Sequence, residues 1–394
     1  MTRGRRAELV RQLQRPKPIT YVELFFDLAF VFALFRLSEA LSERLHWIGG
    51  LEILLILMAT WWIWAYTNLL TDSLDSRSLR LQLLVIGSMF GALALSAAIP
   101  ESWDARGLLF AISYVAVNLG RSGILAYALR HDELGLRPLR AAFWFTVSAV
   151  PWFAGALVED NARIALWSLA ITIDYLAALL GWPTPGLGRT PTRELNLASE
   201  HFAERYRQFI IIALGQTIAV TGLTFHDNDF SPHRGVAFAL CFIISVMLYW
   251  IYFHRIREKL GPSFSGAPDP DVRTREAGFA HLVMVAGIVA LTTADQEVIT
   301  NPAEPARAAM VAVLVAGPAL FLAGHALLAR HLFLTVAAPR LIAAVVLVAV
   351  APALVGLPTV TIIGLIAVVL AAIVGWDLRS AGIKPGDQDL PRRL

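Results

Sequence analysis

The first apolar segment of the chain begins with YVELFFDL at residues 21–28, where Glu23 and Asp27 interrupt a hydrophobic run. Residues four apart lie on the same face of an α-helix, so we expect the two carboxylates to stand one turn apart. Ionisable side chains inside a membrane helix are unfavourable unless they are paired or face a polar interior. The stretch therefore predicts a membrane helix whose acids either serve the function or join this helix to its neighbours.

The composition of the whole chain is that of a membrane protein. Hydrophobic residues account for 57% of the 394 residues and charged residues for 16%, against about 45–50% and 25% in soluble domains. The apolar residues are grouped in blocks close to the roughly 20 residues that cross a bilayer. The sequence thus predicts an all-α polytopic membrane bundle of about twelve transmembrane helices.

The expected spans are 22–41, 48–70, 79–99, 107–129, 138–158, 162–182, 202–223, 234–254, 277–297, 306–328, 337–356 and 358–376. Pro352 and Pro358 lie at the junction of the last two spans, for which one re-entrant hairpin is the alternative. No separate soluble domain is expected, because the longest polar segments are short and rich in Pro, Gly and charge.

The distribution of basic residues predicts the orientation. Lys and Arg favour the cytoplasmic ends of membrane helices. With the N-terminus inside, the opposite loops hold only Arg44, Arg106, Arg163, Arg234 and Arg307. We therefore expect both termini in the cytoplasm. The net charge of +3 is explained by this topology, and no nucleic-acid partner is expected because the charges are split among short segments.

The two halves of the chain look related. We expect an N-terminal six-helix half at residues 1–182, a cytoplasmic linker at 183–200 and a C-terminal six-helix half at 201–394. An acid opens span 1 and span 7, and aromatic groups close spans 2 and 8, in the segments 61–64 and 249–252. This order predicts a parallel 6+6 internal repeat. The alternative is that these aromatic residues belong to the belts at membrane interfaces.

Several motifs resemble one known family. VELFFDL at residues 22–28, HFAERY at 201–206 and IIALGQTI at 211–218 are similar to signatures of the bacterial low-temperature-requirement A proteins. WIYF at 250–253 and AHLV at 280–283 fit the same pattern, and the resemblance covers residues 18–376. It implies a multi-pass protein of the bacterial inner membrane and carries no particular biochemical activity with it.

The chain departs from this family at Gln216. Members usually carry Leu-Gly-Glu where this chain has Leu-Gly-Gln at residues 214–216. Glutamine keeps the shape and hydrogen bonding of glutamate but has no charge. Arg36 is expected at a similar depth in span 1, near the position that superposes on Gln216. We therefore predict that charge has been redistributed between the two repeats.

Two further charged residues lie deep in apolar spans. Arg121 in span 4 and Asp174 in span 6 are at similar depth when counted from the same side of the membrane. We therefore predict that they form an ion pair, since an unpaired buried charge is strongly destabilising. Such a pair would either hold the two helices together or act as a gate or proton relay.

The ends of spans 1 and 7 are expected to form an acidic pocket. Glu23 and Asp27 would line one wall and Glu204 the other, with His281 at the start of span 9. Burial and like charges favour the protonated form of at least one carboxyl group. Asp27 is then the expected proton carrier, and Glu204 is expected to stay ionised beside Arg205. No metal site or cofactor is expected, since no His-Glu-x-x-His motif is present.

Two classes of function remain. The first is a secondary transporter or permease, with protons as a candidate coupling ion; the second is a membrane-embedded enzyme or lipid-modifying factor near the cytoplasmic leaflet. The chain lacks the motifs of hydrolases, phosphate-binding loops and dinucleotide folds, so an enzyme is the less favoured class. The expected partners are the lipid bilayer and an unknown small-molecule or ion substrate, and association into a homo-oligomer is left open.

Overall fold

The computed structural model describes residues 20–72, 74, 78–132, 135–190, 199–256, 270–333 and 338–382. The predicted all-α class is confirmed, since these residues form twelve helices and only isolated β-bridges. The helices are α1 (Tyr21–Glu43), α2 (Trp47–Asp72), α3 (Leu79–Ala98), α4 (Gly107–Ala128), α5 (Leu136–Ala156), α6 (Asp160–Leu179), α7 (Ser199–His226), α8 (Pro232–Ile256), α9 (Pro270–Thr300), α10 (Ala308–Phe333), α11 (Ala338–Leu354) and α12 (Thr359–Gly382).

The helices have the length and composition of membrane spans. Within the described residues, 9 helices are long and apolar enough to cross a bilayer. The other three are α1, which carries the two acids of its first turns, α5, and α11, which has 17 residues. A helix of that length is about 25 Å long, close to the hydrocarbon thickness. The chain is therefore a multi-pass membrane protein.

The last two predicted spans are two separate helices, α11 and α12. The turn between them contains Gly356 at φ 86°, a conformation that favours glycine. Its backbone pairs with the loop that joins α9 to α10, since Ala306 N–H donates to Leu357 O at 2.9 Å. Gly356 N–H in turn donates to Ala306 O at 2.9 Å. The two loops therefore form one structure at the same end of the bundle.

The most buried span of the molecule is α9. Of its most apolar 18-residue stretch, 83% is buried, and the helix packs against α1, α2, α7, α8, α10 and α12. Its contact with α10 is a close approach of backbones. A Cβ atom on Gly287 would lie 2.5 Å from the Gly317 carbonyl oxygen, and one on Gly324 would lie 2.6 Å from Ala280 O. Glycine is required along this seam because only a hydrogen fits.

The order of helix neighbours recurs with an offset of six helices. In the first half α1 packs on α2 and α3, α2 contacts α6, and consecutive helices from α3 to α6 are in contact. In the second half α7 packs on α8 and α9, α8 contacts α12, and consecutive helices from α9 to α12 are in contact. The halves meet where α1 and α2 pack on α7 and α9. The 6+6 repeat itself stays a prediction.

The first part of the predicted linker is held against α5. Arg140 donates through Nε and Nη2 to Leu187 O at 3.1 and 2.6 Å, and Trp144 Nε1 donates to Pro183 O at 2.9 Å. Residues 191–198 lie outside the described residues, and α7 already begins at Ser199. Residues 183–187 of the connection are therefore anchored to the N-terminal half.

Candidate functional site

A buried group of polar side chains joins α1, α2 and α7 at the end of the bundle where α1 begins. We call this group the charged cluster; its members are Glu23, Asp27, Trp64, Asn68, His201 and Arg205. Each helix contributes two residues four apart, which lie on one helix face. The contacts from α1 to α7 both join residues 178 apart in sequence. The acids of α1 therefore stand level with the bases of α7.

Asp27 lies at the centre of the charged cluster and is completely buried. Its Oδ1 accepts hydrogen bonds from Arg205 Nη2 at 2.8 Å and from Trp64 Nε1 at 2.8 Å. The guanidinium and the carboxylate form a buried ion pair. Such a pair resists separation because removal of one partner leaves an uncompensated charge.

Arg205 also binds the second helix of the cluster. Its Nη2 and Nε donate to Asn68 Oδ1 at 2.6 and 3.2 Å, so one side chain of α7 holds both α1 and α2. Three buried polar atoms of the cluster have no hydrogen-bond partner within the described part of the chain: Asp27 Oδ2, Asn68 Nδ2 and Arg205 Nη1. The cluster can therefore bind a further polar group, such as water or part of a substrate.

Glu23 lies one turn before Asp27 and is also buried. Its Oε2 accepts from the backbone N–H of Thr20 at 2.9 Å, which satisfies one of the free donors at the start of α1. The same oxygen lies 3.4 Å from His201 Nε2. The carboxylate thus caps its own helix and contacts α7.

The prediction that Glu204 forms the second wall of this pocket is wrong. Arg205 occupies that place, while Glu204 pairs with Arg207 at 2.9 Å and is 43% exposed. Glu204 lines a different pocket between α7 and α8, together with Trp250 and His254. Neighbouring helix residues point about 100° apart, so a shift of one residue changes the face.

His281 lies eleven residues after the start of α9 and links three helices. Its Nδ1 lies 2.6 Å from Ala277 O, and its Nε2 lies 2.8 Å from the hydroxyl of Tyr252. A carbonyl oxygen only accepts, so we assign the proton of the neutral ring to Nδ1 and the donor role to the tyrosine. The ring also stacks on Tyr206 with centroids 4.4 Å apart. Because Tyr206 follows Arg205 in the chain, His281 lies beside the charged cluster.

The predicted ion pair of Arg121 and Asp174 is wrong. Arg121 donates to Ile63 O at 3.1 Å, to Asn118 Oδ1 at 2.6 Å and to the Thr67 hydroxyl. Asp174 instead accepts from the Tyr114 hydroxyl at 2.8 Å.

The error lies in depth and not in the choice of helix face. Tyr114, whose hydroxyl binds Asp174, precedes Arg121 by two turns of α4, which is about 10 Å along the helix axis. The arginine therefore contacts α2, where it also lies 4.6 Å from the Tyr66 ring centroid.

Arg36 and Gln216 have separate partners among the described residues. Arg36 forms an ion pair with Glu39, one turn later on α1, and is 22% exposed. Gln216 is buried, and its Oε1 lies 3.5 Å from the Thr292 hydroxyl on α9. The predicted redistribution of charge between repeats stays a prediction.

Sequence reasoning missed the buried carboxyl groups of Glu52, Asp295 and Asp377. Asp377 on α12 binds Arg340 on α11 at 2.6 Å, and both side chains are buried. Asp295 is fully buried near the C-terminal end of α9, opposite the end that carries His281. These acids interrupt apolar segments, which is the same signal that identified Glu23 and Asp27.

A cavity of about 610 Å³ lies between the two halves, beside the charged cluster. It is lined by residues of α2, α5, α6, α7, α9 and α10 and of the segment 181–190, and mostly by apolar or aromatic side chains. Arg137, Arg275 and Glu276 supply charge. The aromatic part of the wall includes Trp61, Trp62, Tyr66, Tyr175, Tyr206 and Phe279. A volume of this size accommodates a small organic molecule.

Comparisons with known proteins agree with the motifs. Residues 18–375 match the family described as bacterial low temperature requirement A protein (LtrA). An uncharacterized protein of Rhizobium meliloti (strain 1021) is 33% identical over 310 residues, which cover 77% of this chain and 75% of the relative. No solved structure matches the chain.

Proposed function

We propose that this chain, which belongs to the bacterial low temperature requirement A family, is a secondary transporter of the inner membrane. The observation that supports this proposal is the cavity between the two halves, because both halves contribute to its walls. Transporters commonly place the substrate between two groups of helices that rock against each other.

The chemistry of the cavity favours an amphipathic substrate. Aromatic side chains offer large apolar surfaces, and arginine side chains can bind carboxylate or phosphate groups. Arg275 lines the cavity and is exposed. The proposed substrate is therefore a small organic molecule with an apolar body and an acidic group.

In this proposal the charged cluster controls the contact between the halves. Arg205 belongs to the second half and binds Asp27 and Asn68 of the first half. Separation of α7 from α1 and α2 would break these bonds together. The three polar atoms without partners in the cluster would then be available to water or to the acidic group of the substrate.

A lipid-modifying factor is the second candidate. Three apolar side chains of the cavity wall are exposed on the surface of the bundle: Leu176 at 50%, Leu179 at 59% and Phe279 at 60%. Exposed apolar residues at the edge of a cavity are suited to entry of a lipid from the side. This candidate predicts a change in membrane lipid composition on deletion of the gene, whereas the transporter predicts a change in uptake or export.

Filling the cavity tests the proposal. In a deletion strain, a metabolite screen identifies compounds whose uptake or export depends on the wild-type chain. We expect Ala65→Trp, which places a large ring in the cavity, to abolish that flux while the folded yield is retained. The matched control is Leu169→Trp, at a position 51% exposed on α6. Equal flux through both variants would exclude the cavity as the transport route.

The proposed orientation has both termini in the cytoplasm. We expect reporter fusions after Leu45 and Asn228 to be periplasmic and a fusion after Asp132 to be cytoplasmic, because the basic residues concentrate on the side of the last position. Alkaline phosphatase and fluorescent-protein fusions measure the two sides independently. A cytoplasmic result at Asn228 would contradict the arrangement of six helices in each half.

A further inference from the structure

A second polar group lies far from the charged cluster, where α7, α8 and α9 meet. Asp295 is its centre, and its side chain is fully buried. It lies fourteen residues beyond His281 on α9, about 21 Å along the helix axis. We propose that Asp295 is a proton-binding carboxyl group, and that it carries the coupling proton of the transport cycle. The second part of this proposal rests on the proposed transport function; the first part does not.

The immediate neighbours of Asp295 are neutral. The Thr221 hydroxyl on α7 lies 3.4 Å from Asp295 Oδ2 and also donates to Thr217 O at 2.8 Å, and the Cys241 thiol on α8 faces the carboxyl group. The other oxygen, Oδ1, has no hydrogen-bond partner within the described ranges. The site thus offers only a hydroxyl and a thiol as weak donors to the carboxyl group and leaves an oxygen free for a proton.

Hydroxyl and amide groups continue from this site along the contact between α7 and α9. The hydroxyls of Thr217 and Thr292 lie 2.8 Å apart, and the latter lies 3.5 Å from Gln216 Oε1. Gln216 Nε2 is buried and has no hydrogen-bond partner in the described part of the chain. Because Gln216 is neutral, Asp295 is the acid of this polar seam.

Cationic groups on the surrounding helices are engaged elsewhere. On α1, Arg36 pairs with Glu39; on α8, Arg234 donates to Thr300 O at the end of α9. Arg44, which follows the end of α1, pairs with Glu52 of α2. His325 of α10, Arg340 of α11 and its partner Asp377 of α12 belong to the opposite end of the bundle. Glu297 of α9 accepts from Asn301. Among the described residues, then, no cation pairs with Asp295.

This arrangement favours the neutral acid. An ionised carboxylate without a counter-ion is very unfavourable in an apolar interior, and it is neutralised by binding a proton. Asp27 and Asp377 differ in that each has an arginine partner.

The position of Asp295 connects its proton to movement between the halves. Two residues earlier on α9, on another face of the helix, the Thr293 hydroxyl donates to Ser38 O of α1 at 3.0 Å, a contact between the two halves. Loss of the proton would place a charge in the seam of α7 and α9. The seam would then have to admit water or separate, which changes the packing of α9 on α1.

Infrared spectroscopy of the purified protein in lipid tests proton binding directly, since protonated and ionised carboxyl groups have distinct C=O stretching bands. We expect the wild type at neutral pH to show a protonated-carboxyl component that Asp295→Asn lacks. The matched control is Asp160→Asn, an exposed acid, which should keep the component. An unchanged spectrum of Asp295→Asn would overturn the proposal.

Two further measurements complete the test. If Asp295→Asn does not fold, Asp295→Glu replaces it, and its protonated-carboxyl band must shift from that of the wild type; an unshifted band assigns the proton elsewhere. Loss of the wild-type band on addition of NaCl at fixed pH would show that sodium and not a proton is bound. In vesicles, Asp295→Asn should lose pH-gradient-driven uptake of the compound identified by the metabolite screen. It should keep the exchange of labelled for unlabelled compound across the membrane. Absence of any flux in the wild type would refute the transport function while leaving the infrared assignment intact.

Discussion

Replacement of Asp27 by asparagine is expected to lower the free energy of unfolding by about 3–5 kcal/mol. Asparagine keeps an oxygen that can accept from Trp64, so the substitution removes mainly the negative charge. Arg205, whose side chain is 1% exposed, would then be a buried cation without its counter-ion. The measurement is unfolding of the purified protein in mixed micelles with increasing denaturing detergent.

The matched control for this prediction is Glu204→Gln. It removes an acid from the residue next to Arg205, but at a position 43% exposed. A surface ion pair contributes about 0–1 kcal/mol, so this variant should be close to the wild type in stability. The double variant Asp27→Asn with Arg205→Gln should recover part of the loss. A double variant no more stable than Asp27→Asn would show that the two residues are not energetically coupled.

The Asp27→Asn variant also distinguishes between two roles of Asp27. The structure gives this carboxyl group an arginine partner, whereas the sequence predicted a proton carrier. A folded Asp27→Asn protein that has lost proton-coupled flux would support the carrier role. A protein that is destabilised, with flux restored by the double variant, would support the role of a contact between the halves.

The length of the apolar segments predicts the helices of this fold well, because about 20 apolar residues are needed to cross the hydrocarbon of a bilayer. The ends of α3 and α4, at Ala98 and Ala128, fall within one residue of the predicted span ends. Long apolar segments bounded by charged residues leave little choice of boundary. The sequence therefore predicts the class of fold and the number of helices. Helix limits are less well predicted where a helix continues into polar residues, as in α9, which begins at Pro270 and not at the predicted residue 277.

Contacts between helices were predicted less well, because sequence does not give rotation and depth at the precision of one residue. The sequence placed Glu204 on the wall opposite Glu23, whereas Glu23 contacts His201, three residues earlier on α7. That shift directed attention to Glu204 instead of Arg205. The depth of Arg121 was likewise misjudged by two helical turns relative to the partner of Asp174.

A second large effect is expected at the contact between α9 and α10. Substitution of Gly287 by leucine should abolish the folded protein, because its Cβ atom alone would lie 2.5 Å from Gly317 O and 2.7 Å from Phe321 N. These neighbours are backbone atoms, so the two helices would have to move apart. Even Gly287→Ala should destabilise the protein by about 1–3 kcal/mol, as overpacking of a core does.

Gly120→Ala is the matched control for the alanine variant. Gly120 is also inside a helix, but a Cβ atom there would meet no other atom within 4 Å. Alanine is favoured over glycine in a helix interior by about 1 kcal/mol, so the control should be neutral or stabilising. The same intrinsic preference acts at Gly287, so the difference in stability change between the two alanine variants measures the steric conflict. If both alanine variants were equally stable in detergent unfolding, α9 and α10 would not be in close backbone contact.

Because α9 also packs on α1, α2 and α7, separation of α9 from α10 would disturb the charged cluster as well. Loss of flux in Gly287→Ala would then accompany its loss of stability.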